Sequence, residues 1–377
     1  MIMDTQTITV DAQQLQTDFD ELASRAETAF NEVQTTAYLA QRLDELGVAY
    51  QKFAHMTGLV ATLNPGHRFV MGMRADIDAL KQVYQGRPQV LHSCGHNAHM
   101  AIVLAVAAYF KTHEAELPGT LKLIFQPAEE TVTGAEKVIQ SGLVPPLDVL
   151  YGLHVCPQSE LALGQAEALL PDIATRTYWV TITGRTAHAG RPWLGANVID
   201  AFSTLNERFK QLKLATTTPY SITTTMFQAG ESSNIVPDRG TFAVDLRART
   251  NESMDQLQDQ AFTAMRAVAV DGIDIQVDEN DLSPAAIPSK PAVAAMSQAV
   301  TTVLGTAGLV APVPTQGGDD FHFYAYDGLA KESTMLGLGC DLTPGLHVPG
   351  MTFDHQALVT GAQIMIEAIK LSGKMPG

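Results

Sequence analysis

Cys94 and His96 stand two apart with Gly95 between them, inside the segment His92-Ser93-Cys94-Gly95-His96-Asn97-Ala98-His99. A glycine at that point can turn both side chains to one side of a loop. Thiolate and imidazole together suit zinc and similar divalent metals. Taken alone, the segment serves equally as a helix N-terminus with a buried cysteine and solvated histidines. His92 and His99 read as supporting or surface residues rather than ligands. Glu129 and Glu130 are the second feature. Adjacent carboxylates after an apolar strand repel one another unless a cation holds them, although a helix start would also favour acidic residues. Set beside Cys94, His96, His154 and His347, the pair fits metal-assisted hydrolysis. One carboxylate binds metal, and its neighbour faces the water to be activated.

These residues sit just past short apolar runs. Phe69–Arg74 leads into Asp76 and Asp78, Leu121–Phe125 into Glu129-Glu130, Val149–Leu153 into His154, and Met335–Leu338 toward the loop carrying His347. Sites assemble at the carboxyl ends of strands in open α/β sheets, and four polar features placed there are hard to explain by core packing. Individually each has a plainer reading. A lone histidine is usually structural, Asp76 and Asp78 could be turn residues, Gly317–Phe321 could cap a helix, and His188 could be a loop histidine.

Strands at Gly58–Leu63, Arg68–Arg74, Thr120–Phe125 and Asp148–His154 are separated in places by helices, notably Ala98–Lys111 and Glu136–Ser141. A long helical run over 11–47 precedes them and ends at Gly47. This predicts a mostly parallel or mixed sheet covered on both faces. The texture changes near residue 172. Strand Thr177–Thr183, helix Ala196–Leu214, strands Ser221–Gln228 and Gly240–Arg249, helix Glu252–Val270 and strand Ile273–Val277 make a β-α-β-β-α-β order, a complete ferredoxin-like unit. After Pro284 the earlier style returns with helix Ala292–Thr306, strand Ser333–Leu338 and helix His355–Leu371. The expected architecture is therefore α/β: a discontinuous first domain, 1–174 and 282–377, interrupted by an α+β domain at 175–281.

The 377 residues carry 40 acidic and 24 Lys/Arg side chains, a formal charge of −16. Such a chain repels phosphate backbones and anionic lipid, which argues against nucleic acid and membrane surfaces as partners. The longest apolar run, Met100 to Phe110, is about half of what a bilayer requires. The N-terminal residues lack a basic n-region and a hydrophobic segment, so no secretory signal is expected. Three cysteines are no disulfide framework, and the cytoplasm is the expected compartment.

In combination these segments resemble the dinuclear metallopeptidases that include aminoacylase-1, bacterial hippuricases, plant auxin-conjugate amidohydrolases and N-acetyldiaminopimelate deacetylases. The resemblance is greatest to bacterial amidohydrolases of the AmhX type. It is carried by RADIDAL (74–80), HSCGHNAH (92–99), FQPAEE (125–130), YGLHV (151–155), GRTAHAGRP (184–192), GESSNIVP (230–237), DLRARTNESM (245–254), GGDDFHFYA (317–325) and TMLGLGCDLTPGLHVPGMTFD (334–354).

The resemblance implies a mixed-sheet catalytic domain with an inserted ferredoxin-like lid that commonly dimerises. It places the metal ligands on Cys94, His96, Glu130, His154 and His347, with Cys94 shared by two ions, and the general base on Glu129. Asp76 would orient a ligand, while His188, Asn234 and Arg247 match residues that bind the oxyanion and the substrate carboxylate. Manganese or zinc is expected, with cobalt or nickel allowed. Three departures stand out: Asn97 and His355 where the family usually has acidic residues, and Asp319-Asp320-Phe321 for Glu-Asp-Phe.

The activity implied is hydrolysis of an amide in an N-acyl amino acid or similar small conjugate, by a homodimer. The rivals are an N-acetyldiaminopimelate deacetylase, a dipeptidase or carboxypeptidase, and a metal-binding homologue without turnover. A cysteine nucleophile at Cys94 is disfavoured, because two neighbouring glutamates should raise its pKa.

Overall fold

The structure is a computed structural model and describes residues 8–375, without the side chains of Glu279 and Asn280. It separates into two compact units. One comprises residues up to Pro171, Ile287–Pro314 and Asp320 onward; the other comprises Asp172–Ala286 with Thr315–Asp319.

The first unit is built on a seven-stranded mixed sheet. In spatial order the strands are Ala49–Lys52, Leu59–Leu63, Thr120–Gln126, Val70–Asp76, Leu147–Pro157, Ala330–Leu342 and Ala166–Glu167. Thr120–Gln126, Val70–Asp76, Leu147–Pro157 and Ala330–Leu342 run parallel to one another. The remaining pairings are antiparallel and lie toward the edges. Four parallel strands therefore deliver their carboxyl ends to one edge, where the sequence features for chemistry follow.

Helix His96–Thr112 is apolar nearly all round, and its buried residues run from His96 through Phe110. A helix of that composition belongs inside. It packs against helices Ala12–Ala23 and Gln356–Leu371, and the latter packs against Lys290–Leu304. No helix among the described residues is long and apolar enough to cross a membrane.

The run expected as one helix over 11–47 is two helices, Ala12–Ala23 and Val33–Leu46. Phe30 takes φ 60 in the break, and the Glu27 carboxylate accepts the amides of Gln34 (2.8 Å) and Thr35 (3.0 Å), starting the second helix. Caps of this kind compete with continued helix. A hairpin, Leu80–Tyr84 with Arg87–Leu91, went unread in the sequence. Its strands are short and half-exposed and lack a clean apolar alternation.

The second unit is a four-stranded antiparallel sheet ordered Tyr220–Ala229, Arg239–Ala248, Ala174–Thr183, Asp274–Ser283. Helices Val198–Gln211 and Asn251–Val268 pack on it around Phe202, Leu205, Leu257 and Met265. The β-α-β-β-α-β order is thus a ferredoxin-like unit. Its last strand runs on to Ser283, past the expected Val277.

Candidate metal centre

Gly95 fixes the geometry of the Cys-Gly-His segment. It adopts φ 92, and a Cβ at that position would lie 2.4 Å from Val155 Cγ2. Only glycine accommodates both the left-handed turn and the close approach. The turn leaves Cys94 just ahead of helix His96–Thr112 and puts His96 in its first turn.

His96 Nδ1 donates to the Asp78 carbonyl at 2.9 Å, which leaves Nε2 as the free lone pair. Nε2 is buried and has no hydrogen-bond partner. It faces carboxylate oxygens of Asp76 (3.7 Å), Glu129 (3.7 Å) and Glu130 (3.8 Å). A lone pair aimed at three carboxylates is repulsive unless a proton or a cation stands between them. Burial works against a charged His96, yet the charges of Asp76 and Cys94 hold its pKa well above the ordinary imidazole range. Glu130 Oε1 is likewise buried without a partner. Orphaned acceptors of this kind are what a resident divalent cation would satisfy.

The remaining candidates converge on Cys94. Its Sγ lies 3.4 Å from His154 Nε2 and 3.3 Å from His347 Nε2. His154 Nδ1 donates to the Val155 carbonyl at 2.7 Å, so Nε2 carries the lone pair when the ring is neutral. His347 Nε2 lies 3.4 Å from Glu130 Oε2. Two triads result, Cys94–His96–His154 and Cys94–Glu130–His347, each with donor atoms within 4.8 Å of one another. They share the thiol.

Burial alone would raise the Cys94 thiol. The neighbouring imidazoles of His154 and His96, with hydrogen bonds involving His154 and His347, hold it well below the usual thiol range. The expectation that neighbouring glutamates raise it is therefore corrected. Imidazoles surround the sulfur, and Glu130 takes the opposing shift. Burial first, and then the Cys94 charge, push Glu130 up to about 8.

Glu129 and Glu130 are presented by Asp78, whose two carboxylate oxygens accept their backbone N–H groups at 3.0 Å each. Ala128, immediately before them, is held at φ 59. Such strain in a non-glycine residue persists only where the surroundings over-determine it.

Asp76 is fully buried. It accepts from His99 Nδ1 (2.7 Å) and from Arg74 (2.6 Å). Arg74 is itself buried and also pairs with Asp320 at 2.6 Å. Asp320 accepts from the Gln126 amide and the Ala135 N–H. His99 Nε2 accepts the Val155 N–H at 3.2 Å, so both of its nitrogens are engaged. His99 is thus buried support beneath the cluster, one of the two roles expected for it; Asp78, Arg74 and Asp320 share that role, which the sequence did not single out for them. The available signal was spacing: Asp76 and Asp78 lie two apart at a strand end, and His99 lies one turn after His96.

Of the departures, Asn97 is buried in the first helical turn. Asp319, which stands where the family has Glu, is buried, and its carbonyl accepts from Ser283 Oγ at 3.1 Å. His355 contacts Gln16 Oε1 at 2.9 Å and packs on Phe19, away from the cluster.

In the second unit, His188 pairs with Ile235 in a two-residue ladder, and the Ala189 N–H donates to the Asn234 carbonyl at 2.9 Å. His188 and Asn234 are therefore neighbours. His188 Nδ1 accepts the Gly190 N–H at 2.9 Å, so Nε2 carries the proton when the ring is neutral. Arg247, near the end of strand Arg239–Ala248, bonds Asp245 Oδ1 (2.9 Å) and the Gln316 carbonyl (2.7 Å).

The family description "Peptidase family M20/M25/M40" matches residues 72–371. An IAA-amino acid hydrolase of Arabidopsis thaliana (ILR1-like 5) is 30% identical over 316 residues, 79% of this chain and 72% of that protein. A hippurate hydrolase of Campylobacter jejuni is 26% identical over 329 residues, 82% of this chain and 85% of that one. Among solved structures, the YXEP protein of Bacillus subtilis, described as a dinuclear metal binding peptidase, superposes with a TM-score of 0.79 at 24% identity, covering 97% of this chain and 99% of the other.

Proposed function

The chain belongs to peptidase family M20/M25/M40, and from that premise we propose that it hydrolyses the amide bond of N-acyl amino acids or similar small conjugates. The observation that carries this is the pair of donor triads sharing Cys94, with the orphaned His96 Nε2 facing three carboxylates. Cys94, His96, Glu130, His154 and His347 are the residues that would hold two divalent ions, manganese or zinc by preference, with cobalt or nickel allowed. Bound there, such ions acidify water and polarise a carbonyl.

The chain's own groups supply the rest. Glu129 takes the proton of the attacking water and passes it to the leaving nitrogen. Asp78 holds Glu129 and Glu130 in register through their amides. Asp76 holds His99, which braces the backbone after His154. In the inserted unit, His188 offers Nε2–H to the developing oxyanion. Asn234 and Arg247 take the substrate carboxylate, the guanidinium presenting a matching fork.

The relatives act, by their names, on an IAA-amino acid and on hippurate, the latter an N-acyl amino acid. That supports this reading over N-acetyldiaminopimelate deacetylation or dipeptide cleavage. Free thiols at Cys94, Cys156 and Cys340 accord with a cytoplasmic location. Strand Tyr220–Ala229 is an edge of the inserted sheet. Such edges need covering, which supports a homodimer formed through this unit and visible by sedimentation at micromolar concentration. The test of function is a hydrolysis screen of N-acyl amino acids, with dipeptides and N-acetyldiaminopimelate as comparators, in the presence of each metal. No turnover on any N-acyl amino acid by protein carrying two metal ions would overturn it.

A further inference from the structure

His347 stands apart from the other candidate ligands. His96 lies on a helix and His154 on a strand, whereas His347 sits in the loop between strand Ala330–Leu342 and helix Gln356–Leu371. Its backbone is left-handed at φ 61, and its side chain is 57% exposed. Little burial therefore holds it, and its placement rests on two backbone bonds. The His347 N–H donates to the Ser93 carbonyl at 2.7 Å. The His347 carbonyl accepts from Gln82 Nε2, also at 2.7 Å.

Gln82 lies on the hairpin Leu80–Tyr84 and Arg87–Leu91 that no feature of the chemistry had required. Gln82 and Tyr84, two apart, share one face of their strand and are half-buried, while Lys81 and Val83 between and beside them are exposed. Both inward residues meet the His347 loop. A Cβ added at Gly350, which itself has φ 84, would lie 3.0 Å from the Tyr84 hydroxyl. The hairpin thus touches the loop on either side of Val348-Pro349.

We propose that this hairpin is a clamp on the His347 loop and that Gln82 is a positioning residue for one metal site only, the Cys94–Glu130–His347 triad. In the other triad, Cys94–His96–His154, the two histidines sit on a helix and a strand, and the Gln82 side chain bonds His347 rather than any of these three residues. The proposal rests on the dinuclear reading above. It adds that the two sites differ in how they are held, so that a change remote from every ligand side chain can empty one and spare the other.

The test is a calorimetric titration of metal-free full-length protein with manganese. Wild type should show two binding events. Gln82→Met keeps the length and removes the donor. It should weaken one event about 10–100-fold, the range for losing a group that orients a ligand, and leave the other within about twofold. Gln82→Lys restores a donor of similar reach and should return both events to near wild type. Two unchanged events in Gln82→Met, equal weakening of both, or no recovery in Gln82→Lys would overturn the clamp while leaving the dinuclear reading intact. Fewer than two events in wild type would overturn the dinuclear reading, and the clamp with it.

Discussion

Cys94 Sγ lies 3.3 Å from Nε2 of His347, 253 residues further along the chain. The same sulfur serves the triad with His96 and His154. Replacing it should therefore cost both ions, whereas each histidine belongs to one triad. Cys94→Ala should retain almost no manganese or zinc, while His347→Ala and His154→Ala should each lose about one equivalent. Elemental analysis of the three purified variants checks this. Retention of one full equivalent by Cys94→Ala would refute the shared thiol.

Glu129 and Glu130 should fail differently although they are adjacent. Glu130→Ala removes a donor whose Oε1 has no other partner, so metal content and activity should fall together. Glu129→Gln keeps size and polarity but cannot take a proton. It should keep its metal while kcat falls by about 10²–10⁴, roughly 3–5 kcal/mol of transition-state stabilisation. Metal analysis with steady-state kinetics on both variants decides it, and normal turnover by Glu129→Gln would assign the base elsewhere.

Metal binding should release protons. In the metal-free protein burial holds Glu130 up at about 8, and the hydrogen bond to Cys94 raises His347. Both must be unprotonated to act as ligands, so a raised pKa opposes binding at lower pH and ceases to do so above it. Apparent affinity should rise by roughly tenfold or more per pH unit up to about pH 8, and go on rising above it because His96 is also held well above its ordinary range. Calorimetry in buffers of differing ionisation enthalpy reads the protons directly. Affinity that stays flat from about pH 6 to 8 would contradict these shifts.

Gly95→Ala tests the turn that sets Cys94 and His96. The new Cβ would meet Val155 Cγ2 at 2.4 Å from a backbone at φ 92. Left-handed strain and overpacking together should destabilise the protein by about 2–4 kcal/mol, read as a lower denaturation midpoint. Metal content should fall as well, since Val155 adjoins His154. Unchanged stability would mean that the turn is not fixed by this packing.

The chemistry-bearing residues were legible because their types are rare together and because they follow apolar runs. Asp76, Glu129 and Glu130 needed only the rule that parallel strands present their carboxyl ends to one edge. The inserted β-α-β-β-α-β unit was legible because period-two and period-3.6 patterns alternate cleanly there. The extent of strand Asp274–Ser283 was not, since DENDLS carries no alternation and takes its strand form by pairing with Thr175–Trp179.

The sequence by itself determined which side chains could ligate metal, which carboxylate pair could divide ligand and base, and that two architectures share the chain. The family resemblance implied a shared Cys94, but only the tertiary structure brings its sulfur within reach of both triads, because that depends on bringing together positions 94, 154 and 347. It also decided that His99, Asp78, Arg74 and Asp320 are buried support rather than turn or surface residues. The physical reason is the same in each case. A ligand's identity is local chemistry, whereas its burial, tautomer and charge state are set by neighbours that the chain supplies from far away.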